Sequence, residues 1–348
     1  MTTADLKKRF LALRLAMRDF AETPVREALN DLIAADATVH LCHPWGDVTG
    51  PDALYDQAYA PLLRAIPDLE RRDWIVMAGI DQDGALWVGA GGHYIGTFAH
   101  PWLDIPPTGH LVSLRFHEYY RFDGDRVVEM QALWDVPEVM MQAGVWPIAP
   151  SLGRELRVPG PASSDGLDTS IADPALTAQS MAIVTEMLTA MMRHPSEGGP
   201  EVMQMDRFWS PRMNWYGPAG IGAMRGIRGF RNWHQIPFLN AMPDRGQRPD
   251  LTYASFFAEG SYVAVCGHRN MAQTIVGPGW LGIAPTGQLL RLCSFDFWRV
   301  EDGLIRENWV LIDLLDVFAQ LGMQPLDRMR EFNKARVGFD PETGRSLT

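Results

Sequence analysis

The chain has 348 residues and a mass of 39.0 kDa, room for about two domains that each bury a core. Its 31 Lys and Arg against 42 Asp and Glu leave a net charge of −11 with no basic stripe, which argues against nucleic acid and against a membrane surface as partners. A hydrophobic content of 47% excludes a disordered chain, and no run approaches the ~20 apolar residues of a membrane helix. The opening MTTADLKKRF lacks the apolar core of a signal peptide. Cys42, Cys266 and Cys293 form neither a disulfide framework nor a metal-binding pair, so a reducing, cytoplasmic location is expected.

In chain order, Leu6, Phe10, Leu13, Met17 and Phe20 fall on one helical face. A shorter helix is expected over 51–65, followed by strands over 73–80 and 86–98. Residues 110–122 alternate, with Leu111, Ser113, Arg115, His117, Tyr119 and Arg121 on one face. Asp123-Gly124 then turns the chain into a strand over 126–136. Residues 148–172 are rich in Pro, Gly and Ser and read as a linker. Asp173-Pro174 caps a helix over 175–192, and a shorter helix is expected near 229–241. Strands are expected over 251–257, 262–274, 289–300 and 304–313, the last two joined by a turn at Asp302-Gly303. The polar stretch 328–348 is expected to be loosely ordered.

This order of elements occurs twice. Sliding 282–325 onto 104–147 gives 14 identities in 44 positions, among them Pro107/Pro285, Thr108/Thr286, Gly109/Gly287, Glu129/Glu307, Asp135/Asp313 and Gln142/Gln320. Upstream the offset is 176, matching Gly50, Pro61, Leu63, Ala65, Pro67 and Asp68 to Gly226, Pro237, Leu239, Ala241, Pro243 and Asp244. A period this long is a duplicated domain, not a solenoid repeat. The domains are placed at 1–150 and 165–348. Helices followed by antiparallel strands predict an α+β unit, with helices on one face of a curved sheet and a pocket on its concave side. The two halves are expected to pair through their sheets as an internal pseudo-dimer, and further homo-oligomerisation is left open.

The second copy carries Pro285-Thr286-Gly287, Asp302-Gly303, Ile305, Glu307, Trp309, Asp313 and Gln320-Leu321-Gly322. In these motifs the chain resembles the SnoaL-like polyketide cyclase family, within the nuclear transport factor two-like superfamily of cone-shaped folds. The first copy keeps Pro107-Thr108-Gly109, Asp123-Gly124, Glu129, Asp135, Gln142 and Gly144, with Gln131 in place of the motif tryptophan and Trp134 just before the aspartate. The resemblance implies two tandem cones, ring closure without a cofactor or metal, and Asp135 and Asp313 as general acid/base residues. Burial of an aspartate in an apolar cavity would raise its pKa toward neutrality, as such chemistry requires. Asn308 and Met130 stand where family members often place a histidine before the tryptophan.

Candidate pocket residues are His40, His43, Tyr55, His93, His117, Glu118 and Trp134 in the first copy. In the second they are Asn214, Tyr216, Trp233, His268, Asp296, Asn308 and Trp309. His117 and Glu118 are adjacent on a strand and cannot form a side-by-side dyad. For each histidine a structural role is the commoner alternative, and no metal-binding His spacing exists. The GAGGHYIG run at 89–96 lacks a third glycine and a following helix, so it is not a dinucleotide loop. The tryptophans, Trp45 and Trp215 included, suit a flat or polycyclic hydrophobic ligand. The expected function is therefore cyclase-, isomerase- or dehydratase-type chemistry on an apolar carbonyl compound. The rival is a non-catalytic small-molecule binding protein with one or both cavities degenerate. A third reading divides the labour, one copy serving as a fixed partner for an active one.

Overall fold

The computed structural model describes residues 2–168 and 170–334. It contains two α+β units built in the same order. In the first, helices α1 (Thr3–Ala16) and α2 (Glu22–Leu32) precede β1 (Ile33–Leu41) and β2 (Asp47–Thr49). Then come α3 (Gly50–Leu54), a π-helical turn at Tyr55–Tyr59, α4 (Ala60–Ala65), β3 (Glu70–Ile80), β4 (Leu86–Thr97), β5 (Leu111–Asp123), β6 (Arg126–Trp134) and α5 (Val136–Gln142). α1 begins on a Thr2–Asp5 capping box and buries Leu6, Phe10 and Leu13, the face given by their spacing. α2, which the periodicity of the first helix did not announce, buries Val25, Leu29 and Leu32.

The second unit comprises α6 (Pro174–Met191), α7 (Met205–Phe208), β7 (Trp209–Tyr216), β8 (Ala223–Arg225) and α8 (Gly226–Phe230). A π-helical turn at Arg231–Gln235 leads into α9 (Ile236–Ala241). There follow β9 (Ser255–Glu259), β10 (Tyr262–Cys266), β11 (Met271–Thr274), β12 (Leu289–Leu292), β13 (Ser294–Glu301), β14 (Leu304–Ile312), α10 (Leu314–Gln320) and α11 (Pro325–Asn333). The strand orders are equivalent, β2-β1-β6-β5-β4-β3 and β8-β7-β14-β13-β10-β9. Both sheets are mixed rather than purely antiparallel, because β1 lies parallel to β6 and β7 parallel to β14. β1 and β7 each turn back in an antiparallel hairpin with the short strand that follows. A helical crossover then carries the chain to the far edge of the sheet, which returns to β1 or β7 in parallel.

Two single strands of the sequence reading are broken in the structure. The run 262–274 divides into β10 and β11, and 289–300 divides into β12 and β13. Gly267 sits at the first break with φ 150°, and a Cβ there would lie 2.1 Å from the Tyr253 carbonyl oxygen. β11 and β12 leave the main sheet and pair only with each other. Their counterparts in the first unit remain part of the uninterrupted β4 and β5, which pair from Leu86↔Phe122 to Thr97↔Leu111. The polar 328–333 stretch is helical within α11, whose Leu326 and Met329 are buried; residues 335–348 lie outside the described residues.

The outer faces of the two sheets cover one another. Tyr119 stacks on Phe297 with centroids 5.2 Å apart and 14° between planes, and His117 Nδ1 lies 2.8 Å from the Phe295 carbonyl oxygen. Residues 119 and 297, like 117 and 295, are equivalent positions of the repeat. Counterparts that meet one another are what an isologous pairing requires near its axis. Trp74 packs on Trp309 at 5.5 Å and Trp87 on Phe257 at 6.3 Å. Residues 143–173 carry no helix or regular strand among those described and run along this seam. There Pro159 O accepts from Trp309 Nε1 at 2.9 Å, and Gly166 O from Val76 N at 2.7 Å.

The glycine run of β4 belongs to the seam. A Cβ at Gly91 would lie 2.9 Å from Trp74 and 3.2 Å from Phe297, and one at Gly89 3.1 Å from both Phe257 and Phe297. Absent side chains make room for the opposite sheet's rings. Replacing Gly91 by Val is expected to destabilise the chain by about 1–3 kcal/mol through overpacking, read as a lower urea midpoint.

Candidate active site

The motif aspartates meet the other domain's backbone. Asp135 Oδ2 accepts from Ala219 N at 2.9 Å, and Asp313 Oδ2 from His43 N at 2.8 Å. Residues 43 and 219 are 176 apart, so the two contacts are one contact made twice. Asp135 also pairs with the buried Arg115 at 3.1 Å, whose guanidinium crosses the seam to the carbonyls of Tyr216, Gly217 and Val310. Asp313 further accepts from Asp316 N at 3.1 Å and caps α10. Burial raises both carboxyls, that of Asp313 to about 7. Asp135→Ala, which leaves Arg115 without its counter-charge, is expected to cost about 3 kcal/mol or more. Asp313→Ala is expected to cost about 1–3 kcal/mol, for a lost cap and an unmet N–H, both read by urea denaturation.

Most of the predicted histidines also lie at the seam. His93 is buried, accepts from Trp74 Nε1 at 3.3 Å, and is pushed down to about 3 by desolvation. His117 is buried and likewise lowered. Tyr216 donates to Glu307 Oε1 at 3.4 Å and packs on Trp309 at 5.5 Å, both on the seam side. Asn214 accepts from Arg225 at 3.0 Å at the sheet edge, and Trp233 is 53% exposed. His40 contacts Asp47 at 2.7 Å and stacks on His268 across the seam at 4.4 Å. His40, Asp47 and His268 each offer one atom within 4.8 Å of the others, the arrangement among the described residues that could hold a cation.

Inside the first cone, Glu118 is fully buried and fully engaged. It receives Arg71 at 2.6 Å, Tyr94 at 2.8 Å, Tyr120 at 2.6 Å and Trp134 at 3.0 Å. Tyr59, Phe20 and Phe116 pack around Tyr94, and Tyr55 continues the aromatic filling beneath Arg26. His117, its chain neighbour, faces the seam instead, as strand alternation demands.

The equivalent acid in the second cone, Asp296, lines a cavity of about 430 Å³ and an adjoining space of about 80 Å³. Two of the partners of Glu118 have no equivalents there, since Trp298 and Ile312 occupy the positions of Tyr120 and Trp134. Asp296 accepts from Ser294 Oγ at 2.9 Å and Asn308 Nδ2 at 3.3 Å. Desolvation raises its pKa to about 6 despite those two hydrogen bonds. His234, placed by the π-helical turn, stacks on Trp215 at 4.2 Å and is held neutral, with its pKa pushed down to about 3 by burial and then by Arg245. The departure of β11 and β12 from the main sheet puts Asn270, Met271 and Gln273 on the cavity wall. Of the predicted residues, the structure thus brings Asp296 and Asn308 together in a cavity. It places Trp309, Tyr216, His93 and His117 outside it.

Arg245, His234, Gln273 and Trp298 line this cavity and were missed in the sequence. Same-face arithmetic from Asp296 reaches Trp298, but Arg245 lies in an irregular connection with no periodicity.

A family model for SnoaL-like polyketide cyclases matches residues 11–143 and 197–321, once in each unit. The chain belongs to the SnoaL-like polyketide cyclase family. Solved structures similar to this SnoaL-like chain include AclR of Streptomyces galilaeus, 20% identical, covering 41% of this chain and 87% of its own, with a TM-score of 0.35. IdmH of Streptomyces antibioticus is 20% identical, covering 40% and 98%, with a TM-score of 0.34. A SnoaL-like polyketide cyclase of Agrobacterium tumefaciens is 18% identical, covering 41% and 98%, with a TM-score of 0.32. No curated protein matches the chain. No helix among the described residues is long and apolar enough to cross a membrane.

Asp296 gives the SnoaL-like cavity a pH signature. Its folded pKa, about 6, lies above the usual 3.8, so its contribution to stability is complete below pH 4 and is lost as pH rises through 6. Asp296→Asn is expected to match the parent near pH 4 and to exceed it above pH 6 by about 1–2 kcal/mol, cavity solvent screening part of the charge, in urea titrations across pH.

Proposed function

We propose that the second cone is a general acid/base site for an apolar carbonyl compound, that Asp296 is its proton carrier, and that the first cone is a filled, fixed partner. The observation that carries this is the contrast between equivalent acids. Glu118 is locked by an arginine, two tyrosines and a tryptophan, whereas Asp296 opens onto a cavity with only a serine and an asparagine beside it.

In the forward step an Asp296 oxygen takes a proton from the carbon next to a substrate carbonyl, leaving an enolate. The enolate carbon attacks a second carbonyl of the same molecule, a carbon–carbon bond forms, and Asp296 returns the proton to the new alkoxide. A pKa near 6 suits both directions close to neutrality, since neither form is scarce. Among the described residues the Trp298 indole N–H and the His234 Nδ1 have no hydrogen-bond partner. Both atoms are covered in the free protein, so either donates to the carbonyl oxygen only once a side-chain rotation uncovers it, His234 with its proton on Nδ1. Apolar walls from Leu188, Met271, Phe238 and Val310 suit a flat hydrophobic ligand. Three free, buried cysteines support a reducing, cytoplasmic setting.

Asp313 and Asp135 remain the rival bases, the former favoured by its pKa of about 7. Turnover of enolisable diketones by Asp296→Asn, Asp313→Asn and Asp135→Asn, each checked for native stability, separates them. Asp296→Asn is expected to lose at least 100-fold in kcat, and the parent rate to rise with pH to a plateau above about 6. Full activity in Asp296→Asn beside a dead but folded Asp313→Asn would reverse the assignment. Binding without turnover in the parent would favour the non-catalytic reading.

A further inference from the structure

The cavity wall holds a cation that no carboxylate pairs with among the described residues. Arg245 lines both parts of the cavity, and among the described residues no hydrogen bond or ion pair reaches its guanidinium. The nearby acids are engaged elsewhere: Asp244 accepts from Thr274 N at 2.8 Å, and Asp250 pairs with Arg248 at 3.2 Å. Asp296 feels the charge of Arg245 but lies beyond ion-pair distance. By the 176-residue offset, the first copy has Leu69 at this position, immediately after the matched Pro67-Asp68. The first cone's interior arginine, Arg71, is instead paired with Glu118, so the unpaired cation is a feature of the open cone.

Two residues of the same wall hold covered polar atoms. Among the described residues nothing bonds either end of the fully buried Gln273 amide or the indole N–H of Trp298, which is 3% exposed. Buried donors and acceptors without partners are unfavourable, and a side-chain rotation that uncovered them would let a bound polar group satisfy them. Around them the wall is apolar, with Leu188, Pro249, Phe256, Val265 and Met271.

We propose that the ligand of the second cone is an apolar carboxylate, its anionic group received by Arg245 and its hydrophobic body laid along the wall toward Asp296. This rests on reading that cone as the ligand-binding one. A guanidinium recognises a carboxylate by two parallel N–H donors, and the contact is strongest where water is excluded. The overall charge of −11 gives no long-range attraction for an anion, so selection falls to this local contact. A carboxylate held at Arg245 comes with its own counter-charge, so the pair adds little net charge near Asp296.

Binding of 2-naphthoate and of its neutral methyl ester to the full chain, followed by calorimetry and tryptophan quenching, tests the proposal. The parent is expected to bind naphthoate about tenfold or more tighter than the ester. Arg245→Met is expected to abolish that preference by weakening naphthoate alone, and Arg245→Lys to restore part of it; the Lys variant also carries the test if the Met variant fails to fold. Equal binding of acid and ester, no saturable naphthoate binding in the millimolar range, or an unchanged preference in a folded Arg245 variant overturns it. In Asp296→Asn the preference for acid persists, whatever becomes of turnover. Failure of the acid/base assignment is thereby distinguishable from failure of this one.

Discussion

The seam between the two sheets is the constraint on which the rest depends. Each sheet has one face toward its helices and one face, rich in aromatic rings, that must be covered. The cover is the other copy, registered by Asp135 on Ala219 N and Asp313 on His43 N. Both carboxylates are buried, and one has a guanidinium to balance it. A displacement of the sheets would strand a charge and two N–H groups away from water, a larger cost than any single ring contact.

Fusing the pair into one chain has a consequence for the two interiors. In a homodimer one sequence specifies both cavities, so any side chain that fills one fills the other. Here the copies differ at equivalent positions: Glu118 and Asp296, Tyr120 and Trp298, Trp134 and Ile312, Leu69 and Arg245. The first cone uses its acid in a satisfied network among aromatic rings, which rigidifies it. The second leaves its acid half met and its arginine unmet. Such groups are unfavourable to the free fold and useful to a ligand.

Backbone geometry reinforces the difference. Uninterrupted β4 and β5 close the wall of the first cone, while the break at Gly267 and the departure of β11 and β12 open that of the second. The π-helical turns recur at equivalent places, Tyr55–Tyr59 and Arg231–Gln235, yet one contributes tyrosines to a packed interior and the other presents His234 to a cavity. The same local device thus serves packing in one copy and lines a cavity in the other.

The duplication, most of the helices and strands, the pairing of the halves and the family were legible in the sequence. They rest on local alternation, turn residues and a repeat with matching Pro, Gly and Asp positions. Alternation also placed His117 and Glu118 on opposite faces. What only the tertiary structure decided was which buried acid meets a cavity. Asp135 and Asp313 carry the stronger motif, but their burial comes from the partner domain's backbone, contributed by residues 219 and 43. Asp296 and Glu118 look alike in sequence and differ because of side chains that reach them from distant segments. Arg245 could not be read at all, since an irregular connection has no period from which to infer where a side chain points. Sequence records what each residue prefers locally; whether its charge is met is determined by residues that only the fold brings near.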